Sequence, residues 1–295
     1  TANLAQNQRY SSITMTLPDL NISLARVYPF KRRHAVGKER WYEKISMGYT
    51  GQITNSISTK EDQLMHASLL KDWKNGMQHS IPIQGNFTLF DYINITTSLS
   101  FTDRMYTNKV TRSWDERTNT EVRDTTYGFH NIYNWNLSLS ASTKLYGMWI
   151  PNKKLFGDKL QAVRHVITPQ VSFSYAPDFS SPRYGYYDSY QYTDANGEVH
   201  LVEYSPYENG CFGVPGRGKS ENVSFRLDNN IEAKIKDKND SIKKISIIDQ
   251  LGFSMSYNAA AAIHKWSDLS VDLRLKWWKN YTFSMNAPFA TYAWE

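Results

Sequence analysis

The 295 residues are 40% apolar, 21% charged and 14% aromatic, with a net charge of +6 and a mean hydropathy of -0.58. No apolar run reaches the roughly eighteen residues of a transmembrane helix, whereas a membrane-spanning strand is apolar on one face only and leaves mean hydropathy low. The 34 Lys and Arg are scattered through turns and polar faces, which argues against a nucleic-acid partner and favours anionic lipid or lipid phosphate as the counterpart of the positive charge.

Apolar and small polar residues alternate along most of the chain, the period of a strand with two unlike faces. The first run carries Ile13, Met15 and Leu17, then slips by one residue at Pro18-Asp19 to Leu20, Ile22 and Leu24. Because proline cannot donate to a ladder, the slip predicts a bulge there. Ile45, Met47, Tyr49, Ile53 and Ile57 follow. Ile81, Ile83, Phe87 and Leu89 then alternate with Ser80, Gln84, Asn86 and Thr88. A tight turn at Asp91-Tyr92 leads to Ile93, Ile95, Leu99 and Phe101 against Asn94, Thr96, Ser98 and Ser100, a hairpin. Trp135, Leu137, Leu139, Ala141 and Leu145 oppose Asn134, Asn136, Ser138 and Ser140, and a run at Val171, Phe173 and Tyr175 comes next. Four more runs start at Val223, Leu251, Leu269 and Tyr281, with Arg226, Glu232, Asp272 and Arg274 on the polar face. The reading gives ten strands of an all-β fold: a transmembrane antiparallel β-barrel, larger than these strands alone. Residues 1–295 are read as part of one outer-membrane barrel domain. The polar opening at Thr1 places any secretory signal upstream or already removed, and the ending at Trp294-Glu295, inside an alternating run, suggests a piece of a longer protein.

A soluble sandwich also alternates. Three features favour the membrane: runs of about ten residues or more, a polar face built almost wholly of Asn, Ser, Thr and Gln, and aromatics gathered at strand ends. The shortest connections are the third and ninth, and the longest, Asp178 to Glu221, is the sixth. Short and long connections therefore fall at opposite ends, as periplasmic turns and extracellular loops do. Tyr28, Phe30 and Phe90 flank odd-numbered connections, together with Trp41, Tyr42, Tyr92, Trp149, Trp277, Trp278 and Tyr281. The last seven are the candidate interfacial girdle. The candidate lumen-facing residues are Gln84, Asn86, Asn94, Asn134, Asn136, Arg226, Glu232, Asp272 and Arg274. The four charged members suit either contacts to phosphate or ion pairs that brace the wall, and the second role is favoured.

Chemical motifs contribute little. Gly213 to Ser220 matches the phosphate-loop pattern G-x-x-x-x-G-K-[ST], but that chemistry requires a following helix and here a strand follows. The seven histidines are each more than a dozen residues apart, which is not ligand spacing. Triplets such as Asn94-Ile-Thr96 arise from the alternation itself. Cys211, the single cysteine, is read as a solvated or chance thiol in a glycine-rich loop. The tyrosine-rich segment Asp178–Tyr192 suits packing over a barrel mouth better than stacking on sugar. No catalytic residue, cofactor or metal site is expected, and an enzyme is not.

Several blocks are more specific: Leu17-Pro-Asp-Leu20, Tyr28-Pro-Phe-Lys31, Lys71-Asp-Trp-Lys-Asn-Gly76 with His79-Ser-Ile-Pro82, and Arg164-His-Val-Ile-Thr-Pro169 leading into Ser172-Phe-Ser-Tyr-Ala-Pro-Asp-Phe179. Together they resemble the LptD family of lipopolysaccharide-assembly proteins in its Bacteroidetes-like form, over the middle of the barrel. The resemblance implies a bacterial outer-membrane translocon that inserts lipopolysaccharide into the outer leaflet, with sugars crossing the lumen and acyl chains leaving through a lateral opening. It also implies a plug lipoprotein (LptE-like), a periplasmic bridge protein and an N-terminal periplasmic jellyroll, whose sequence is not visible here. Ten strands are not the whole of such a barrel, so the family's gate residues and disulfide cysteines are not carried over. Alternatives are another outer-membrane transport barrel, a porin or a plugged nutrient receptor, and an adhesin or outer-membrane enzyme.

Overall fold

The computed structural model describes residues 2–9, 11–34, 36–60, 62–64, 71–194, 196–236, 241–277 and 281–292. The strands are β1 (Asn3–Asn7), β2 (Ser12–Val27), β3 (Ile45–Lys60), β4 (Lys74–Leu89), β5 (Ile93–Asp115), β6 (Thr120–Ser142), β7 (Leu145–Trp149), β8 (Leu160–Ala176), β9 (Asp188–Thr193), β10 (Val199–Tyr204), β11 (Ser220–Lys236), β12 (Ile242–Asn258), β13 (Leu269–Trp277) and β14 (Tyr281–Phe289). Twelve form one sheet in the order β1-β2-β3-β4-β5-β6-β8-β11-β12-β13-β14, with β7 also paired to β8, while β9 and β10 form a separate hairpin. Helix is confined among the described residues to single turns, none long and apolar enough to cross a membrane. The ten strands read from alternation are β2 to β6, β8 and β11 to β14. The sequence reading missed β1, the β9–β10 hairpin and the full length of β5 and β6, each 23 residues. About ten residues suffice for a tilted strand to cross hydrocarbon, so β5 and β6 have material for a projecting hairpin as well.

Two compact units are distinguished. The first comprises Thr1–Gln84, Leu99–Asn136 and Ala176–Lys219. Its β2–β3 register passes from Thr16 opposite Ser56 to Asp19 opposite Thr54, one extra residue on β2. This is the bulge expected at Pro18, and it returns Leu20, Ile22 and Leu24 to the face of Ile53 and Tyr49. Asp19 accepts hydrogen bonds from Gln52 and Thr54 on the polar side. Between β2 and β3, the wholly buried side chain of Glu43 accepts from Arg32 Nε at 2.6 Å and Nη2 at 2.9 Å, and from the Arg40 backbone N–H at 2.6 Å.

The second unit comprises Gly85–Ser98, Leu137–Tyr175 and Ser220–Glu295. Phe90 and Asp91 both adopt positive φ, 52° and 62°, the backbone of a type I′ turn, and Tyr92 N–H closes it on Leu89 at 3.2 Å. β6 and β7 run along β8 in one continuous register, Leu137 opposite Tyr175 and Leu145 opposite Ile167. The gap between them faces Pro169: Thr143 N–H reaches the Pro169 carbonyl at 3.2 Å, but proline returns no donor. β13 and β14 pair one to one from Leu269–Phe289 to Trp277–Tyr281.

The charge-assisted bonds from Arg32, followed by the Arg40 amide, hold the Glu43 carboxyl at about 2 against an ordinary value of 4.5. A depressed carboxylate pKa contributes stability that is complete above the unfolded value and is lost as pH falls toward the folded one. The Arg40 amide is therefore expected to be protected from hydrogen exchange above about pH 5 and to lose protection between pH 4.5 and 2. Glu43→Gln should expose that amide at neutral pH; unchanged exchange in the variant would remove the assigned role.

Candidate functional site

The alternation sorts the sheet into two chemically distinct faces. On the apolar side, Leu20, Ile22, Leu24, Leu89, Leu139, Leu145, Val171, Phe225, Phe283 and Met285 are all exposed. So many large apolar side chains outside a core are unusual for a soluble protein and natural for one solvated by lipid. At strand ends Trp41 is 64% exposed, Tyr92 77% and Tyr281 75%, and Trp149 is exposed as well. Tyr42 is half-buried, its hydroxyl accepting from Arg40 at 3.2 Å. Trp277 ends β13 opposite Tyr281, and Trp278 lies outside the described residues.

The polar side is a surface of hydrogen bonds. In the first unit, Gln84 accepts from Arg26 Nη2 at 2.8 Å and Asn134 accepts from Arg104 Nη1 at 2.6 Å; Asn136 is exposed. In the second, Asn94 accepts from Thr88 at 3.3 Å and Asn86 is exposed.

The charged members separate into distinct groups in the second unit. Arg226 donates to Asp228 at 2.7 and 2.9 Å and lies 4.0 Å from Asp272, which also accepts from Asn286 at 2.5 Å. Glu232 is shared by Arg164 and by Lys244 at 2.7 Å. Arg274 pairs at 2.6 Å with Asp249, which Lys276 also reaches at 3.2 Å. The polar side is thus braced by ion pairs, and the sequence reading named only one partner in most of them. Asp228 was legible, two residues from Arg226 on the same face. Asp249 was not: register shifts between Asn229 and Glu232 leave it outside the one-to-one pairing of β11 with β12, and a bulge re-aims the side chain it carries. Gly252 leaves the room Arg226 needs, since a Cβ there would stand 2.9 Å from Asp228 Oδ1 and 3.4 Å from Arg226 Nη2. Beside this cluster lies an open groove of about 370 Å³, lined by Ser172, Ser224, Ser254, Ser256 and Ser270 together with Arg226 and Asp268. It offers many neutral hydroxyls, the paired Arg226 guanidinium, the Asp268 carboxylate and the apolar Phe225 and Met255.

In the first unit the long connection folds down onto the polar side. Tyr106 and Ile132, 2% and 0% exposed, occupy the same parity as Arg104 and Asn134 and are covered by Phe179 and Tyr186. Tyrosine hydroxyls then take the place of a neighbouring strand. Tyr186 accepts the Tyr133 backbone N–H at 2.9 Å, Tyr204 accepts that of Arg112 at 2.9 Å, and the Val110 N–H reaches the Pro206 carbonyl at 2.9 Å. Trp114 meets Tyr192 at 4.7 Å between centroids and Tyr192 stacks on His200 at 5.1 Å, fastening the β9–β10 hairpin. The tyrosine-rich segment therefore packs. Cys211 corrects the expectation of a solvated thiol: it is half-buried, contacts the Lys74 carbonyl at 3.1 Å, and burial pushes its pKa up, the opposite of a reactive cysteine. The phosphate-loop match is held by its own backbone. Tyr106 donates to the Gly213 carbonyl at 2.6 Å, the Gly218 N–H donates to Asp178 at 3.0 Å, and β11 follows. At the β9–β10 turn Asp194, Glu198 and His200 bring ligand-type atoms within 4.8 Å of one another. Asp194 closes that turn by accepting the N–H groups of Asn196 at 2.9 Å and Glu198 at 2.8 Å.

The family described as LptD protein matches residues 1–292. Comparison with curated proteins and with solved structures found no match.

Tyr186→Phe removes the acceptor of the Tyr133 amide and should loosen the connection by about 1–3 kcal/mol, the cost of an unsatisfied buried donor. Faster proteolysis within residues 177–219 and faster exchange at Tyr133 are the expected readouts. Equal protection in both proteins would show that the aromatic packing alone holds the segment.

Proposed function

Because the chain belongs to the LptD protein family, which serves lipopolysaccharide transport at the bacterial outer membrane, we propose that its two-faced sheet is wall of a lipopolysaccharide translocon. The observation that carries this reading is the pairing of an exposed apolar side with a polar side of neutral hydrogen-bonding groups and ion pairs. Acyl chains and membrane lipid meet Leu139 and its neighbours. Sugars move along Gln84, Asn86, Asn94, Asn134 and Asn136 and past the serine-lined groove, exchanging weak neutral hydrogen bonds without a deep electrostatic trap. Arg226, Glu232, Asp272 and Arg274 line the same lumen and hold the wall together. Trp41, Tyr42, Tyr92, Trp149, Trp277, Trp278 and Tyr281 form the girdle at the periplasmic interface, where amphipathic rings settle.

On this reading residues 1–295 are part of one barrel domain, fed by a periplasmic jellyroll and bridge protein and plugged by an LptE-like lipoprotein. Acyl chains leave through a lateral opening while sugars pass through the lumen. The sixth connection, with its β9–β10 hairpin, faces outside the cell.

A photo-crosslinker at Asn86 or Asn136 in the full-length protein should capture lipopolysaccharide in growing cells, and one at Leu139 should capture membrane lipid. Capture of lipopolysaccharide sugars at Leu139 with none at the two asparagines would reverse the faces and end the proposal. Leu139→Arg should destabilise the folded protein by about 2–4 kcal/mol near the bilayer midplane, and Ser138→Arg far less. Folding yield in lipid measures both; equal losses would contradict the parity.

A further inference from the structure

A second pocket, of about 190 Å³, opens on the polar side of the second unit and is lined by Arg164, Glu232, Lys234 and Lys244 with Met148 and Ala162. It lies where β7 leads toward β8 and β11 toward β12, close to Trp149. Lys234 and Lys244 are cross-strand partners in the β11–β12 register, so two ammonium groups leave directly opposed positions on the same face. Like charges placed so are destabilising unless something lies between them. The described lining supplies one carboxylate, Glu232, already shared by Arg164 and by Lys244 at 2.7 Å. Three cations around one anion leave a formal charge of +2. The contrast with Arg226, flanked by both Asp228 and Asp272, is local and chemical: there the cation is compensated, here it is not.

We propose that Arg164, Lys234 and Lys244 form a phosphate-binding vestibule on the polar face. A phosphate monoester carries about -1.5 to -2 charges near neutrality and three strong acceptor oxygens, which matches the excess charge, and lysine binds phosphate as a point charge without demanding one orientation. The site deepens the translocon reading and its cargo assignment rests on it: the fifth and seventh connections belong to the end assigned to the periplasm, where phosphorylated cargo arrives. Phosphate reaches such a site from two sources, the phosphate monoesters of lipopolysaccharide, which match the whole excess charge, and the singly charged diester headgroups of anionic phospholipid, which match part of it.

The test uses the full-length protein in neutral detergent and four probes: inorganic pyrophosphate, lipopolysaccharide with its phosphates, the same lipopolysaccharide dephosphorylated, and micelles containing phosphatidylglycerol. The K234Q/K244Q double variant should bind pyrophosphate and phosphorylated lipopolysaccharide about tenfold or more weakly, the scale of losing a hydrogen bond to a charged group, and bind the dephosphorylated form as before. Glu232→Gln, which removes the internal anion, should instead tighten pyrophosphate binding. A loss confined to pyrophosphate and phosphatidylglycerol supports the vestibule and assigns it to phospholipid. Wild-type binding of pyrophosphate without any binding of lipopolysaccharide would defeat the translocon reading and leave the vestibule standing. Unchanged pyrophosphate binding in the double variant, or none in the wild type, overturns the vestibule.

Discussion

Hydrocarbon accepts no hydrogen bond, so a chain that borders it must pair every backbone N–H and C=O within itself. An antiparallel meander does this strand by strand, and the pleat then forces successive side chains to opposite faces. Nearly everything else in this molecule follows from that pairing. One face carries exposed Leu, Ile, Val and Phe, and the other is polar. Where the pairing stops, the chain spends side chains to finish it. Beyond the reach of their neighbours, β5 and β6 give backbone donors to Tyr204, Pro206 and Tyr186.

The same rule explains which parts of the fold were legible in the sequence. Period-2 alternation reports one-sided burial directly, and it placed the ten principal strands, the bulge at Pro18 and the hairpin turn before Ile93. It was silent where another part of the chain covers the face that would otherwise be polar. Tyr106 and Ile132 sit at polar-face positions because the connection after β8 folds over them, and an apolar residue there blurs the alternation that marks a strand. The second half of β5 and the first half of β6, from Thr102 to Trp114 and from Thr120 to Tyr133, consequently read as loop. β9 and β10 escaped for a related reason: at six residues each they are too short for their pattern to stand out from the tyrosines around them.

Of the candidate site, parity recovered the polar face but not its wiring. Arg226, Glu232, Asp272 and Arg274 were identified as charges that share a face, yet their partners depend on register. Register is a long-range property, set by how β11 slides on β12. Two shifts in that one pair decide that Asp249 meets Arg274 and that Lys234 faces Lys244. Composition was equally blind to the role of Gly252, whose missing Cβ gives Arg226 its place. Cys211 shows the limit from the other side, since its local sequence is glycine-rich loop and its burial comes from β3 and β4, more than 130 residues away.

The pairing of Arg226 with Asp228 and Asp272 has a consequence for small ions. A lone charge on a wetted wall draws counter-ions from several ångströms away, whereas a cation locked to carboxylates presents little more than a dipole, whose field dies away much faster with distance. Where the face is built in this way, around Arg226, it can be hydrated without concentrating salt or metal ions. Around Arg226 the water on this face is electrically quiet, whereas Arg164, Lys234 and Lys244 leave another part of the same face positive.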